Sequence, residues 1–323
     1  MSLPVLDFST FYHGTATERS QLSKHLTEEL RKHGAARLIN LGIRTEMITE
    51  CYAWSERFFK LPDAEKNAIP NERNADPQSG WSFVGSEKTS KLNKVDKSGK
   101  YQIAVDESVP QDLEDEKEHF DFARGDDPEY PSKWPTEASI PGFRNFMEAF
   151  LDACQDTGRA ILGSLEEGLD LPPGNLTSHC ATRVDEVRLN HYSPLPVGKL
   201  GDGKHQRAWP HTDFGLITLL FQDEAGGLGV ENREKPGTFI PITRESPTEI
   251  AVLVSDSLEH LTNSYLGAGI HQVATPVFME DVKAGLLPER FSIACFVKAD
   301  RHVSVGPLDK YITDHSGEPS ALW

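Results

Sequence analysis

Apolar residues recur at helical spacing in three stretches of the chain and alternate with polar ones in many shorter stretches. The two regimes divide the chain near residue 183. Residues 17–32 carry Leu22, His25, Leu26 and Leu30 at helical spacing, with polar residues between them. A second helix is predicted over 44–60, with Tyr52, Phe58 and Phe59 turned inward. The third and strongest runs from Phe143 to Gly168 and sets Phe146, Phe150, Ala153, Cys154, Ile161 and Leu165 on one side. Pro141 before it and Gly168 at its end suit start and stop signals. Residues 3–8 and 35–40 read as short strands. After Arg183 the segments shorten and alternate, with strands predicted over 187–192, 216–222, 227–231, 238–241, 250–255 and 291–297.

Helices first and a run of short strands afterwards predict a mainly β protein with flanking helices, its β core closed or sandwiched; a double-sheet jelly roll is one such core. Residues 1–182 form the helical or mixed layer and 183–323 the β core, the two making one compact unit. Between them, residues 62–132 are rich in Pro, Asn, Lys, Asp and Glu, and long irregular segments inside compact chains are usually functional loops or lids. The acidic run from Asp112 to Glu129 is expected to be a solvated face.

Composition adds exclusions. A net charge of -17 argues against nucleic acid, whose phosphates need clustered Lys and Arg. Four scattered cysteines without a CxxC pair point to reduced thiols. With no apolar run long enough for a membrane span and no secretory leader pattern, a cytoplasmic protein without a membrane partner is expected.

The candidate chemistry begins at His211-Thr-Asp213, whose ligand-capable side chains at i and i+2 share one side of an extended segment. His271, 58 residues on, completes a set of two imidazoles and one carboxylate. Such a facial triad suits non-haem Fe(II) and leaves the opposite face open. A second pair, His119-Phe-Asp121, is read as an incidental match in the acidic loop. Arg290 and Ser292 share strand parity, and an Arg fork beside a Ser hydroxyl suits a carboxylate. Arg188, Asn190 and Tyr192 also alternate to one side, which is costly inside a protein unless they meet a ligand or one another. For Arg188 an ion pair with Asp185 or Glu186 competes with a substrate role.

These residues resemble the Fe(II)/2-oxoglutarate dioxygenase superfamily, in its isopenicillin N synthase-like branch. The resemblance covers nearly the whole chain: Pro4-Val-Leu-Asp7, Phe58-Phe-Lys-Leu-Pro62, Trp134-Pro135 with Phe143-Arg144, Asn190-His-Tyr192, His211 through Asp223, Gly226-Gly-Leu228 and Arg290-Phe-Ser292. It implies a double-stranded β-helix, or jelly roll. It also implies iron on His211, Asp213 and His271, and 2-oxoglutarate and O2 as cosubstrates. The distal carboxylate of 2-oxoglutarate would meet Arg290, Ser292 and Tyr192, with Asn190 nearby. A small-molecule substrate would lose a hydrogen atom from a C–H bond, with Arg188, Phe296, Trp209 and Leu219 as candidate contacts.

Where the family commonly has Gly-Leu-Gln-Val, this chain has Gly227-Leu-Gly-Val230, which is expected to remove a side chain near the substrate cavity. The segments Gly80–Glu87 and Ala268–Val273 are most similar to fungal polyketide-tailoring enzymes, with oxidative ring expansion to a tropolone as the specific reaction implied. Simple hydroxylation of a small aromatic or nucleobase, an iron oxidase that does not use 2-oxoglutarate, a zinc hydrolase and a jelly-roll binding domain are the alternatives. A zinc hydrolase would not need Arg290 and Ser292.

Overall fold

The computed structural model describes residues 2–72, 79–87, 89–91, 113–127 and 129–313. Two sheets face each other as a jelly roll. The larger has eight strands in the order β1 (Val5–Asp7), β2 (Ala35–Ile39), β13 (Ile250–Val254), β10 (Ile217–Gln222), β16 (Arg290–Val297), β6 (Glu186–Tyr192), β5 (Glu118–Phe122) and β3 (Gly80–Ser82). The smaller has four: β12 (Phe239–Pro241), β11 (Leu228–Glu231), β14 (His271–Val273) and β9 (Ala208–His211). Two short pairs lie outside them, β15 (Leu286–Leu287) with β7 (Leu195–Pro196) and β4 (Glu114–Asp115) with β8 (His205–Gln206). The helices are α1 (Ser9–His13), α2 (Ala16–His33), α3 (Thr45–Phe59), α4 (Asp63–Lys66), α5 (Phe143–Gly168), α6 (Asp256–Leu261) and α7 (Asp309–Thr313). None among the described residues is long and apolar enough to cross a membrane.

Local chemistry explains the helix ends. The Thr15 hydroxyl accepts from the Glu18 amide, and the Glu18 carboxylate accepts from the Thr15 amide at 2.8 Å, a capping box that starts α2. Gly34 stops it at φ 68°, a left-handed conformation that costs glycine little. The periodicity of α5 buries Met147, Phe150, Cys154, Ile161 and Leu165, which pack in one core with Ile217, Leu219 and Phe221 of β10 and with Ile293, Cys295 and Val297 of β16. The opposite face of the large sheet turns Leu220, Ala251, Leu253 and Ala294 toward Leu228, Val230 and Val273 of the small sheet. Both faces of the central strands are therefore buried, one under helices and one inside the jelly roll. The predicted inward His25 lies outside instead, with its side chain 54% exposed.

The predicted strands and long helices fall within a residue or two of their observed bounds, whereas β7, β8, β9, β14 and β15 lie where the sequence pattern predicts no strand. The segment 62–132 does not match expectation in its described part; residues 92–112 of the expected lid lie outside the described residues. Residues 118–122 form β5, an integral strand buried throughout. It pairs with β6 in antiparallel register, placing His119 opposite Asn190 and Asp121 opposite Arg188. Phe120 and Phe122 face the helices, the Phe120 ring 4.4 Å from Phe58 and 5.8 Å from Phe143. Glu114, Asp126 and Glu129 of this run are exposed as expected, but other charged residues in it are not solvated because they meet buried partners. Asp115 accepts from the Thr89 amide and hydroxyl, at 2.6 and 2.7 Å. Glu118 accepts from the Trp81 indole at 2.7 Å and from Lys66 at 3.2 Å. Since β1, β2, β3 and β5 join the same sheet as the later strands, residues 1–182 and 183–323 share one core.

Candidate metal centre

His211 ends β9 and His271 begins β14, and the two are cross-strand partners in the small sheet. Their rings lie 4.3 Å apart between centroids. His211 Nδ1 sits 2.7 Å from the Trp209 carbonyl and His271 Nδ1 sits 3.1 Å from that of Gly269. A carbonyl can only accept, so each Nδ1 carries the proton and each Nε2 presents a lone pair. Those Nε2 atoms are each 4.0 Å from an oxygen of Asp213, and one ligand atom from each residue lies within 4.8 Å of the others. Burial, and then His271 beside it, push the His211 pKa down to about 3, so the imidazole is neutral and free to bind a cation at neutral pH. The donor set of two neutral imidazoles and one carboxylate fits Fe(II).

Asp213 is held in turn. The Thr218 hydroxyl of β10 donates to Asp213 Oδ2 at 2.6 Å, leaving Oδ1 free. Such outer partners commonly contribute 10–100-fold to metal affinity, so Thr218→Val is expected to weaken Fe(II) binding by about that factor without unfolding the protein. Competition against a chelator of known affinity measures it; an unchanged affinity would make the hydroxyl irrelevant to the ligand.

The cavity beside the triad is lined by Lys117, Arg188, Asn190, Tyr192, Thr218, Leu220, Arg290, Ser292 and Phe296. Register explains this convergence: on adjacent strands Arg290 faces Tyr192, Ser292 faces Asn190 and Ala294 faces Arg188. Arg290 is completely buried. Its Nε donates to the Gly226 carbonyl at 2.9 Å and its Nη1 to the Ser292 hydroxyl at 3.0 Å. Among the described residues its Nη2 has no partner, and neither does the buried Asn190 Oδ1. A buried guanidinium with an unanswered donor fits the carboxylate of 2-oxoglutarate.

Two candidate substrate contacts and the expectation for Gly229 require correction. Leu219 points into the helical core, because Thr218 and Leu220 take the cavity-facing parity of β10. Trp209 is absent from the lining; its indole donates to the Glu114 carbonyl at 3.1 Å. A side chain at Gly229 would meet Phe239 rather than the cavity, since Leu228 and Val230 hold the inward positions of β11. Arg188 and Phe296 do line the cavity, the guanidinium 5.7 Å from the ring centroid. The ion-pair partners of Arg188 are Asp121 and Glu87, both at 2.7 Å, rather than Asp185 or Glu186. The second His-x-Asp pair is therefore structural: Asp121 anchors Arg188, and His119 Nε2 sits 3.2 Å from Asp121 Oδ2.

Lys117 belongs to no motif in the sequence, although it shares strand parity with His119 and Asp121. It is buried on the cavity wall and paired with Glu87 at 2.6 Å. Burial would lower its pKa, but Glu87 outweighs that and raises it. Arg207, also fully buried, carries no sequence signal. Another possible cation cluster, Glu114, Glu116 and His205, is more exposed, and Glu116 is already paired with Lys199 at 2.7 Å.

Comparison with known proteins follows the same lines. Residues 184–299 match the model of the 2OG-Fe(II) oxygenase superfamily, and residues 3–137 match that of the N-terminal region of non-haem dioxygenases in morphine synthesis. The 2-oxoglutarate-dependent dioxygenase ecdK of Aspergillus rugulosus is 40% identical over 97% of this chain and 92% of its own. Proline hydroxylase buaE of Petromyces alliaceus is 35% identical over 95% and 91%. Among solved structures, a full-length Neurospora crassa protein in complex with alpha-KG superposes with a TM-score of 0.81 at 27% identity, covering 96% of this chain and 89% of that one. The same Neurospora crassa protein is also known with alpha-KG and thymine bound. This chain belongs to the 2-oxoglutarate–Fe(II) oxygenase superfamily and is an oxidoreductase that uses Fe(II), 2-oxoglutarate and O2.

Proposed function

We propose that His211, Asp213 and His271 hold the iron, that Arg290 with Ser292, Tyr192 and Asn190 holds 2-oxoglutarate, and that the enzyme oxidises a C–H bond of a small molecule in fungal secondary metabolism. The observation that carries this reading is the free Nη2 of Arg290 in the same cavity as the three ligands. Bound iron with 2-oxoglutarate and O2 supplies the oxidant, and the cosubstrate leaves as succinate and CO2. The chain's own part is to fix positions and keep water out. Ser292 and the Gly226 carbonyl orient the Arg290 fork, and the Tyr192 ring packs 4.8 Å beneath it.

The substrate side of the cavity is charged yet self-cancelling. Arg188 is engaged by Asp121 and Glu87, and Lys117 by Glu87. No carboxylate of substrate is needed to balance it. The wall suits an uncharged ring bearing carbonyl or hydroxyl groups, packed on Phe296 and hydrogen-bonded by Lys117. A dearomatised cyclohexadienone undergoing ring expansion to a tropolone is one such substrate. Hydroxylation is the second reading, favoured by the relative named as a proline hydroxylase and by the thymine complex of the Neurospora crassa protein. Mass spectrometry of reactions with phenolic polyketides, their dearomatised forms and small nitrogen heterocycles separates the two. A product heavier by one oxygen reports hydroxylation, and one lighter by two hydrogens reports ring expansion.

Arg290→Lys tests the cosubstrate. Lysine keeps the charge but loses the fork. The apparent Km for 2-oxoglutarate is expected to rise at least about tenfold, or roughly 1.4 kcal/mol. Turnover without succinate would remove 2-oxoglutarate from the mechanism and leave an iron oxidase.

A further inference from the structure

We infer that Arg207 is a second guanidinium for the distal carboxylate of 2-oxoglutarate, so that two buried arginines, not one, select a dicarboxylate cosubstrate. The inference rests on the reading of Arg290 above and extends it. Arg207 immediately precedes β9 and, like Arg290, has no exposed surface. Its Nη2 donates to the carbonyl of Pro288, two residues before Arg290, which ties it to the start of the same strand. Its Nε and Nη1 have no partner among the described residues. Both guanidiniums lie against the Tyr192 ring, 4.8 Å from its centroid for Arg290 and 5.8 Å for Arg207.

Electrostatics argues that this arrangement is built for an anion. Among the described residues, no carboxylate forms an ion pair with either arginine, and the bonds they do make are to carbonyls and a hydroxyl. Two like charges taken out of water beside each other are unfavourable unless an opposite charge joins them. Burial, and then the nearby charge of Arg290, lower the Arg207 pKa to about 10 against the weaker opposing pull of Tyr192 and Asp223, which leaves it cationic at neutral pH and only partly balanced. Among the described residues, the Tyr192 end of the site therefore holds three unanswered donor nitrogens, one on Arg290 in the cavity wall and two on Arg207, which lies behind that wall against the Tyr192 ring. With the 2-oxo acid end of the cosubstrate assigned to the iron, the distal carboxylate is the anion left to answer them. Both its oxygens can accept, and a charge-assisted bond is stronger than a neutral one. Tyr192 then serves chiefly as a ring platform that spaces the two cations.

The test compares two ligands on Fe(II)-loaded protein without O2, by calorimetric titration. One is 2-oxoglutarate; the other is 2-oxobutyrate, which keeps the 2-oxo acid end and lacks the distal carboxylate. Arg207→Met is expected to weaken 2-oxoglutarate at least about tenfold and leave 2-oxobutyrate unchanged, collapsing the preference between them. Arg207→Lys, which keeps the charge without the fork, should fall between wild type and Arg207→Met, and it carries the test should the methionine variant fail to fold. Wild-type affinity for 2-oxoglutarate in either variant, even with a lowered melting temperature, would show that Arg207 only braces Pro288 and would overturn the inference. Arg290→Met distinguishes the underlying reading. If it weakens 2-oxoglutarate while the Arg207 variants do not, only the second arginine is wrong; if it has no effect, the carboxylate site itself is misplaced.

Discussion

Asp213→Ala and His211→Ala are each expected to lose bound iron and all measurable turnover, while His119→Ala keeps both. Each of the first two changes leaves two ligands of three, and the remaining pair has no described carboxylate or imidazole placed to take over. The geometry makes the contrast sharp, because both histidines are buried and both lie on strands. Their surroundings differ. His211 and His271 turn Nδ1 to backbone carbonyls and so present two neutral Nε2 atoms toward one carboxylate, half-buried between them. His119 instead faces Asp121, which is committed to Arg188. Burial alone would raise the Asp121 pKa, but Arg188 and His119 outweigh it and hold it at about 2. That carboxylate is neutralised by a fixed cation and has little left to offer a mobile one. Metal content by plasma emission, and the visible absorption of the anaerobic Fe(II)–2-oxoglutarate complex, read the outcome directly. Iron retained by His211→Ala and lost by His119→Ala would mean that the wrong pair has been assigned.

The same contrast shows what a sequence can reveal. Strand parity alone places Arg290 with Ser292, and Arg188 with Asn190 and Tyr192, because the period of a strand is fixed by its backbone. The long helices are legible from their apolar spacing, and the ends of α5 from Pro141 and Gly168. Strand β5 is not, since its cavity side carries His119 and Asp121, and charged residues read as solvent-facing until their partners are known. Those partners, Glu87 and Arg188, lie far along the chain, and no local pattern announces them. Even so, Glu118-His-Phe-Asp-Phe122 alternates in strand fashion, and parity would set Lys117 on the same wall. Leu219 fails by one residue: in a strand buried on both faces, hydrophobicity does not say which face is which. Arg207 has no legible signal, because a lone arginine becomes informative only once its empty surroundings are seen.

Arg188→Met is expected to destabilise the protein by about 3–5 kcal/mol and to uncouple succinate formation from product. Arg188 sits between Asp121 and Glu87 at 2.7 Å each, and all three side chains are nearly buried. Burial would lower its pKa, yet the two carboxylates raise it, so the guanidinium stays charged. Removing it leaves Asp121 buried without its main counter-ion, whereas Glu87 keeps Lys117. Asp121→Asn in the same chain should therefore recover much of the loss, and thermal melts of the two single variants and the double variant measure the coupling. Equal melting of Arg188→Met and wild type would show that the network contributes nothing to folding. The second readout separates packing from function. Arg188 lies over Phe296 on the cavity wall, so its loss should let substrate shift while the iron ligands and Arg290 stay in place. A displacement of about an ångström can cost on the order of a hundredfold in rate, and succinate then forms without product. A destabilised Arg188→Met enzyme with the wild-type ratio of product to succinate would make the residue purely structural, and would move the substrate contact to Lys117.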